Sequence, residues 1–433
     1  MDPDSKKKRR IIEKEKNILK NINSEDLLSN IWQVSSNSII VALMNLVFHF
    51  VMSRTLGPAQ YGELETLLTI NSIILITLSA VAFIVARFVS YYRTRQQYDK
   101  MKFLANWSFI FFFIIGCAGF IINLIISRLA ANFLNMTDYT TLVIFGLMIW
   151  ISFLMPIIEG ILRGLLEFRF IGKYKITDAA LRLVIGSTLV FLGLQVKIII
   201  VGLVIGASLT LLLSGYMLKK IYVNKPYKIE LKDIYKFTVP VFLTTISFAI
   251  LSNIDLVLVK HFFDAQSTGY FAAAAMLAKV VLGIAFGSAG VMFPKIVEDY
   301  SNGNTKSIIK TLRNTLKIFI IAGFILTLIL AIYPTSISRA FFGNQYDIGS
   351  MLSIYAFATF FLSLTCILMM YDLAVKRFKF IIVFIAAAFL VIYQISVLHN
   401  NLFNIVWALF TIDLLLLAFM IIYNKKALFS RYY

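Results

Sequence analysis

Arg54-Thr-Leu-Gly-Pro-Ala-Gln-Tyr-Gly62 joins two long apolar runs, and Lys260-His-Phe-Phe-Asp-Ala-Gln-Ser-Thr-Gly269 joins two more. Arg54 and Lys260, Ala59 and Ala265, and Gln60 and Gln266 share one offset of 206 residues, close to half of the 433-residue chain. One inserted residue then separates Gly62 from Gly269. A repeat of this kind in a very apolar chain predicts two related lobes that rock about a site at their interface.

Composition supports a membrane protein. Hydrophobic residues make up 60% of the chain and the mean hydropathy is +0.84, values that a water-exposed surface does not tolerate. The apolar residues fall into runs of about 20, the length that spans a bilayer core. The first 30 residues are polar and basic and do not read as a cleavable signal. Residues 11–28 place Ile11, Ile12, Ile18, Leu19 and Ile22 at helical spacing among Lys and Glu, the pattern of a surface-lying amphipathic helix or of a basic tail.

Twelve spans are predicted, near 31–52, 65–90, 103–126, 141–163, 177–194 and 198–218, then 237–259, 269–292, 312–332, 350–371, 378–397 and 402–423. Helices fit them better than barrel strands, because the runs do not alternate over ten residues. The expected fold class is all-α: an N-lobe over 31–218, a linker over 219–236, a C-lobe over 237–423, a basic tail over 1–30 and a C-terminal tail over 424–433. Of the 41 Lys and Arg residues, thirty-two fall in the two tails and alternate loops, against five on the opposite side. The positive-inside rule therefore places both termini in the cytoplasm of a multi-pass cell-membrane protein. Six spans per half is even, so the halves insert with one orientation as parallel repeats. The net charge of +19 follows from these loops and does not call for nucleic acid.

Chemistry-bearing motifs are sparse. Gly172-Lys173 is followed by Tyr174 and is not a phosphate-binding loop; His49, His261 and His399 have no metal-ligand spacing; Cys117 and Cys366 lie in apolar runs and read as core. No enzyme activity, cofactor or metal is expected. The informative residues are charges inside spans, which are costly in lipid, about 3 kcal/mol on insertion scales, and so face a cavity or one another. Lys279 and Asp413 lie near mid-depth of spans eight and twelve. They read either as an ion pair or as a cavity in which Lys279 attracts a diphosphate. Asp255 matches His49 at the 206 offset, and these titratable groups read as gating or ion-coupling candidates, or as interfacial residues touching water. Arg182 follows Asp178 by four residues, which reads as a helical salt bridge or as substrate capture at the cytoplasmic mouth. Arg87 and Lys317 read as snorkelling side chains. Arg87, Arg182 and Lys279 together suit an anionic headgroup. Pro156, Pro240, Gly283, Gly287 and Gly290 are sites for bends or close packing.

Leu56-Gly57-Pro58-Ala-Gln-Tyr-Gly62 resembles the first external loop of the polysaccharide transporter family, the Wzx-like flippases of the multidrug/oligosaccharidyl-lipid/polysaccharide (MOP) exporter superfamily. Gly160-Ile-Leu-Arg163-Gly164 with Phe168 and Arg182, Asn253-Ile-Asp255 with Gly269-Tyr-Phe-Ala-Ala, and Met292-Phe-Pro294-Lys resemble three further family segments. Phe263-Asp264 departs from the Gly-Pro often found in the second loop. The resemblance implies a V-shaped pair of six-helix bundles, like the MATE drug exporters of that superfamily. It implies transfer of a lipid-linked oligosaccharide on an undecaprenyl or other polyprenyl diphosphate carrier to the outer leaflet, by a monomer working with membrane lipids and polysaccharide assembly proteins. A cation-coupled multidrug exporter of the same superfamily is the competing expectation.

Overall fold

The computed structural model describes residues 24–165, 167–218, 232–346 and 348–429, and among them every regular element is a helix. In chain order these are α1 (Ser24–Thr94), α2 (Tyr98–Phe133), α3 (Tyr139–Gly164), α4 (Phe168–Phe191), α5 (Val196–Leu218), α6 (Lys232–Phe262) and α7 (Ala265–Ser301). Then follow α8 (Thr305–Ile332), α9 (Pro334–Phe342), α10 (Gly349–Ala374), α11 (Ile381–Val397), α12 (Leu402–Tyr423) and α13 (Lys425–Phe429).

Among the described residues, nine helices are long and apolar enough to cross a membrane. The first holds two of the expected spans. Gly57 breaks α1 with φ 73° and ψ 172°, a conformation glycine reaches at little cost, and Pro58 opens the second half with a φ suited to a helical first turn. His49 and Glu65 lie sixteen residues apart, about 24 Å along a straight helix, yet are ion-paired, so the chain reverses at Gly57. The loop expected between spans one and two is therefore a turn. Helix α4 is less apolar because Arg169, Lys173, Lys175, Asp178 and Arg182 crowd its first turns, and α11 is apolar but only 17 residues long.

Polar caps mark the helix starts. Asp264 accepts from the amides of Gln266 (3.0 Å) and Ser267 (3.1 Å) to open α7, and Asn401 accepts from Asn404 (2.8 Å) to open α12, each satisfying an orphan donor. Asp138 does the same for α3, and its bonds from Thr140, with Lys197 3.0 Å away, hold this loop carboxyl down to about 2.

Helices α1–α5 form one bundle, with α1 against α3 and α4, α2 against α3, and α5 against α3 and α4. The second bundle packs α10 against α7, α8 and α12, and α11 against α6 and α12. The bundles meet along α1, which runs against α6 and α7. Counting reversals from Gly57 puts the 134–138, 263–264 and 333–348 connections at one end, the turn end. The connections after α1, α3, α7 and α10 lie at the other, the basic end.

Three boundaries differ from the sequence reading. Residues 11–23 of the amphipathic stretch lie outside the described residues, and the chain is helical from Ser24. Residues 219–231 of the linker also lie outside them, and α6 takes up the rest from Lys232. Within the C-terminal tail, Lys425–Phe429 form α13. Cys117 and Cys366 are free thiols, Cys366 buried.

Candidate functional site

The two repeat motifs meet in space. A Cβ built on Gly62 would lie 2.6 Å from the Gly269 amide nitrogen, and one on Gly269 would run into the Pro58 carbonyl. The α1 turn and the start of α7 thus cross backbone to backbone at the turn end, which only glycine permits. The Arg54 guanidinium donates to the carbonyls of Ala340 (2.5 Å) and Phe341 (3.0 Å) in the last turn of α9 and lies 4.5 Å over the Phe50 ring. Cations favour helix C-termini. Tyr346 donates to Ser53 O at 2.9 Å, and Asn135 to His261 O at 2.7 Å. The His261 ring stacks on Phe133 at 3.9 Å, its Nδ1 2.7 Å from the Phe133 carbonyl. Helix α9 had no sequence expectation; nine residues with mixed polarity leave too short a periodic signal.

Arg54→Ala is expected to loosen this clasp by about 1 kcal/mol, the scale of a partly exposed charged hydrogen bond, or roughly fivefold in the population of the open form. A cysteine placed at buried Ser53, with Cys117 and Cys366 replaced, should then react several-fold faster with a water-soluble thiol reagent. Unchanged labelling would remove Arg54 from the clasp.

Below the turn end each hairpin carries an ion pair between its two helices. In the first bundle His49 Nδ1 contacts Glu65 Oε1, and the Tyr61 hydroxyl is 3.5 Å from the same nitrogen. In the second, Lys279 Nζ lies 3.6 Å from Asp255 Oδ1 and 3.4 Å from Asn253 Oδ1, and Tyr355 donates to Asp255 Oδ2. His49 and Asp255 are related by the repeat offset, whereas their partners Glu65 and Lys279 are not; the carboxylate stands on the second helix in one contact and on the first in the other. Lys279 is also within electrostatic reach of Glu65, so the pairs face one another where α1 meets α7.

Asp255, Lys279, Tyr355, Thr359 and Asp413 line a cavity of about 10 Å³, near the lower bound for holding one water. Asp413 is 4% exposed and its Oδ1 has no hydrogen-bond partner. The structure brings Lys279 and Asp413, the two mid-depth charges, together with Asp255. It pairs the ammonium with Asp255, not with Asp413 as the ion-pair reading had it. Among the described residues no group of three or more His, Cys, Asp or Glu is placed to hold a metal ion.

The remaining candidates lie elsewhere. Arg182 pairs with Asp178 at 3.4 Å across one helical turn. Arg87 is exposed on the basic-end half of α1 and is also engaged. Gly57, Pro58, Gly62 and Gly269 form the turn-end crossing. Sequence reasoning missed Glu65, buried at 8% exposure; its signal was a carboxylate three residues past Gly62 in an apolar run. It also missed Glu159, bonded by Lys175 at 2.9 Å and by Arg163.

This fold matches membrane transporters. A multidrug resistance MATE family transporter of the MOP superfamily in an inward-facing conformation aligns with a TM-score of 0.74 at 13% identity, over 92% of this chain and 98% of its own. An outward-facing MATE family transporter aligns at 0.65 and 15% identity, over 92% and 95%. The lipid II flippase MurJ in an inward closed conformation aligns at 0.70 and 16% identity, over 90% and 87%. These identities establish likeness of fold. No curated protein sequence matches the chain. The class is therefore an integral membrane protein with a MOP-type transporter fold of two six-helix bundles. Within it, the model of the polysaccharide biosynthesis protein family matches residues 27–298, more than half of the chain, and the protein belongs to that family.

Proposed function

We propose that the chain is a flippase that moves a polyprenyl-diphosphate-linked oligosaccharide from the cytoplasmic to the outer leaflet of the cell membrane. It does so as a monomer, alongside polysaccharide assembly proteins, without catalysis or a cofactor. The observation that carries the reading is the meeting of two repeat-related hairpins at the bundle interface, each with its own intramembrane ion pair, in a chain of a polysaccharide biosynthesis family. The bundles over 31–218 and 237–423 rock about this crossing.

The basic end is taken as cytoplasmic because thirty-two Lys and Arg residues gather there and in the tails. On that orientation the turn end is external, and its clasp closes the outer side. Asp255, Asp413 and His49 serve ion coupling or gating, with Lys279 exchanging between carboxylates. Arg182 and Arg87 meet the headgroup toward the basic end. A diphosphate moving outward also runs down an inside-negative potential, about 2.3 kcal/mol per charge per 100 mV.

One observation favours a second reading. The central cavity sets two carboxylates, Asp255 and Asp413, against one ammonium, a balance suited to a cation and so to a multidrug exporter. Proteoliposomes holding a polyprenyl-diphosphate oligosaccharide under an imposed inside-negative potential decide between them. Protein-dependent leaflet reversal that rises with the potential is expected. No reversal, together with efflux of an organic cation, would replace the flippase with the exporter.

A further inference from the structure

An anion needs cations that carboxylates have not already matched. In the central cavity the one ammonium, Lys279, is already matched by Asp255, so no cation there is left over for a diphosphate. The basic end of the first bundle differs. Glu159 on α3 takes two cations, Arg163 one turn along and Lys175 from α4 at 2.9 Å. Arg182 and Asp178 pair beside them. Tyr174 ties the two groups together, lying within electrostatic reach of Glu159, Asp178 and Arg182. Its hydroxyl donates at 2.8 Å to the Met155 sulfur, a weak acceptor that a phosphate oxygen outcompetes.

The group holds three cations and two carboxylates, a surplus of one positive charge, and it is partly shielded from water. Glu159 has 19% of its side chain exposed, whereas Arg163 and Lys175 keep 36% and 41%. The cations are thus more exposed than their counter-ion. The group also lies beside the seam between bundles. Arg163 sits 5.4 Å over the Phe83 ring, and Phe83 meets Phe293 of α7 at 5.7 Å. A ligand on Arg163 therefore touches the place where the bundles part.

We propose that Arg163, Lys175, Arg182 and the Tyr174 hydroxyl form an anion station for the diphosphate of a lipid-linked substrate, with Glu159 as the internal counter-ion that the diphosphate displaces. The guanidinium of Arg163 offers two parallel donors to phosphate oxygens, and Lys175 adds a mobile point charge. The carboxylate holds both cations in place when the station is empty and keeps the cost of three neighbouring positive charges low. The station rests on the flippase reading and names where its substrate is first held.

The test uses the full-length protein in neutral-lipid nanodiscs, titrated with farnesyl diphosphate, farnesol and inorganic pyrophosphate by calorimetry. Farnesyl diphosphate is expected to bind and farnesol not. Lys175→Gln should weaken binding roughly tenfold and Arg163→Gln/Lys175→Gln roughly a hundredfold, the scale of one and two charge-assisted bonds. Glu159→Gln should tighten binding several-fold, because the competing anion is gone. Lys175 is the most exposed side chain of the group, so its variant carries the test if Glu159→Gln fails to fold. Binding within twofold of wild type in both cation variants, with wild-type flipping intact, would overturn the station and leave the flippase standing. Absence of diphosphate binding and of flipping in the wild type would overturn both. Pyrophosphate binding as tightly as farnesyl diphosphate would reassign the station to a free anion and overturn its lipid-linked ligand.

Discussion

Gly269→Ala is expected to cut transport by more than tenfold, whereas Gly283→Ala leaves it within twofold. Both are glycines within α7, and both changes add a single methyl group. At Gly283 a Cβ meets nothing within 4 Å, and exchanging glycine for alanine inside a helix gains roughly 1 kcal/mol. At Gly269 the Cβ meets the backbone of Pro58 on three atoms. Backbone at a helix crossing cannot rotate away as a long side chain can, so the hairpins must separate. Overpacking costs typically 1–3 kcal/mol, and here it falls where the bundles meet. The added methyl group meets only the turn-end crossing, so the variant is expected to insert and fold. The damage should appear as faster labelling of a turn-end cysteine and slower leaflet reversal. Equal flipping by the two variants would mean that the crossing is not held tightly during transport.

The repeat was legible because it lies in the order of residues: the offset of 206 places Gly57–Gly62 and Lys260–Gly269 at matching turns, and the structure puts those turns face to face. The Arg182–Asp178 pair was legible for the same reason, since helical geometry fixes i,i+4 neighbours. Partners on different helices are set by packing, which spacing does not encode. Nothing in a separation of 24 residues tells Lys279 to choose Asp255 over Asp413. His49 and Asp255 were matched by offset, yet their partners are not offset equivalents: with the inserted residue counted, Glu65 matches position 272, and Lys279 stands seven residues, about two helical turns, further along α7. Glu159 escaped notice beside the Gly160–Gly164 motif because a lone carboxylate near a basic loop reads as solvated; only the fold brings Lys175 across from α4. Helix α4 shows the same limit in reverse. Its five charges lower the apolar signal of a span, and three of them are paired in the bundle, Lys175 with Glu159 of α3 and Arg182 with Asp178 within the helix.

Lys279→Ala is expected to destabilise the protein more than Asp255→Ala does, although both break one ion pair. Removing Lys279 strands a carboxylate that is 2% exposed with the Tyr355 hydroxyl as its one hydrogen-bond donor. Breaking a buried pair in this way costs about 3–5 kcal/mol, and the lower end applies because the Lys279 side chain keeps 23% of its surface. Removing Asp255 leaves an ammonium on a four-carbon stem, with Asp413 on the wall of the same cavity. The stem can swing to that second carboxylate, so the loss is about 1 kcal/mol, that of a partly exposed pair. The double variant should then be more stable than the sum of the single losses predicts, by about 1–3 kcal/mol. Thermal unfolding in nanodiscs measures all three. Additive losses would mean that the pair makes no coupled contribution and that Asp413 offers the ammonium no alternative. The expected asymmetry has a mechanistic consequence: an ammonium with two carboxylates in reach has two arrangements of similar energy. A cation or proton arriving at one carboxylate would bias Lys279 toward the other. Because Lys279 stands on α7, which packs against α1 of the opposite bundle, such an exchange would act on the helix pair along which the bundles meet.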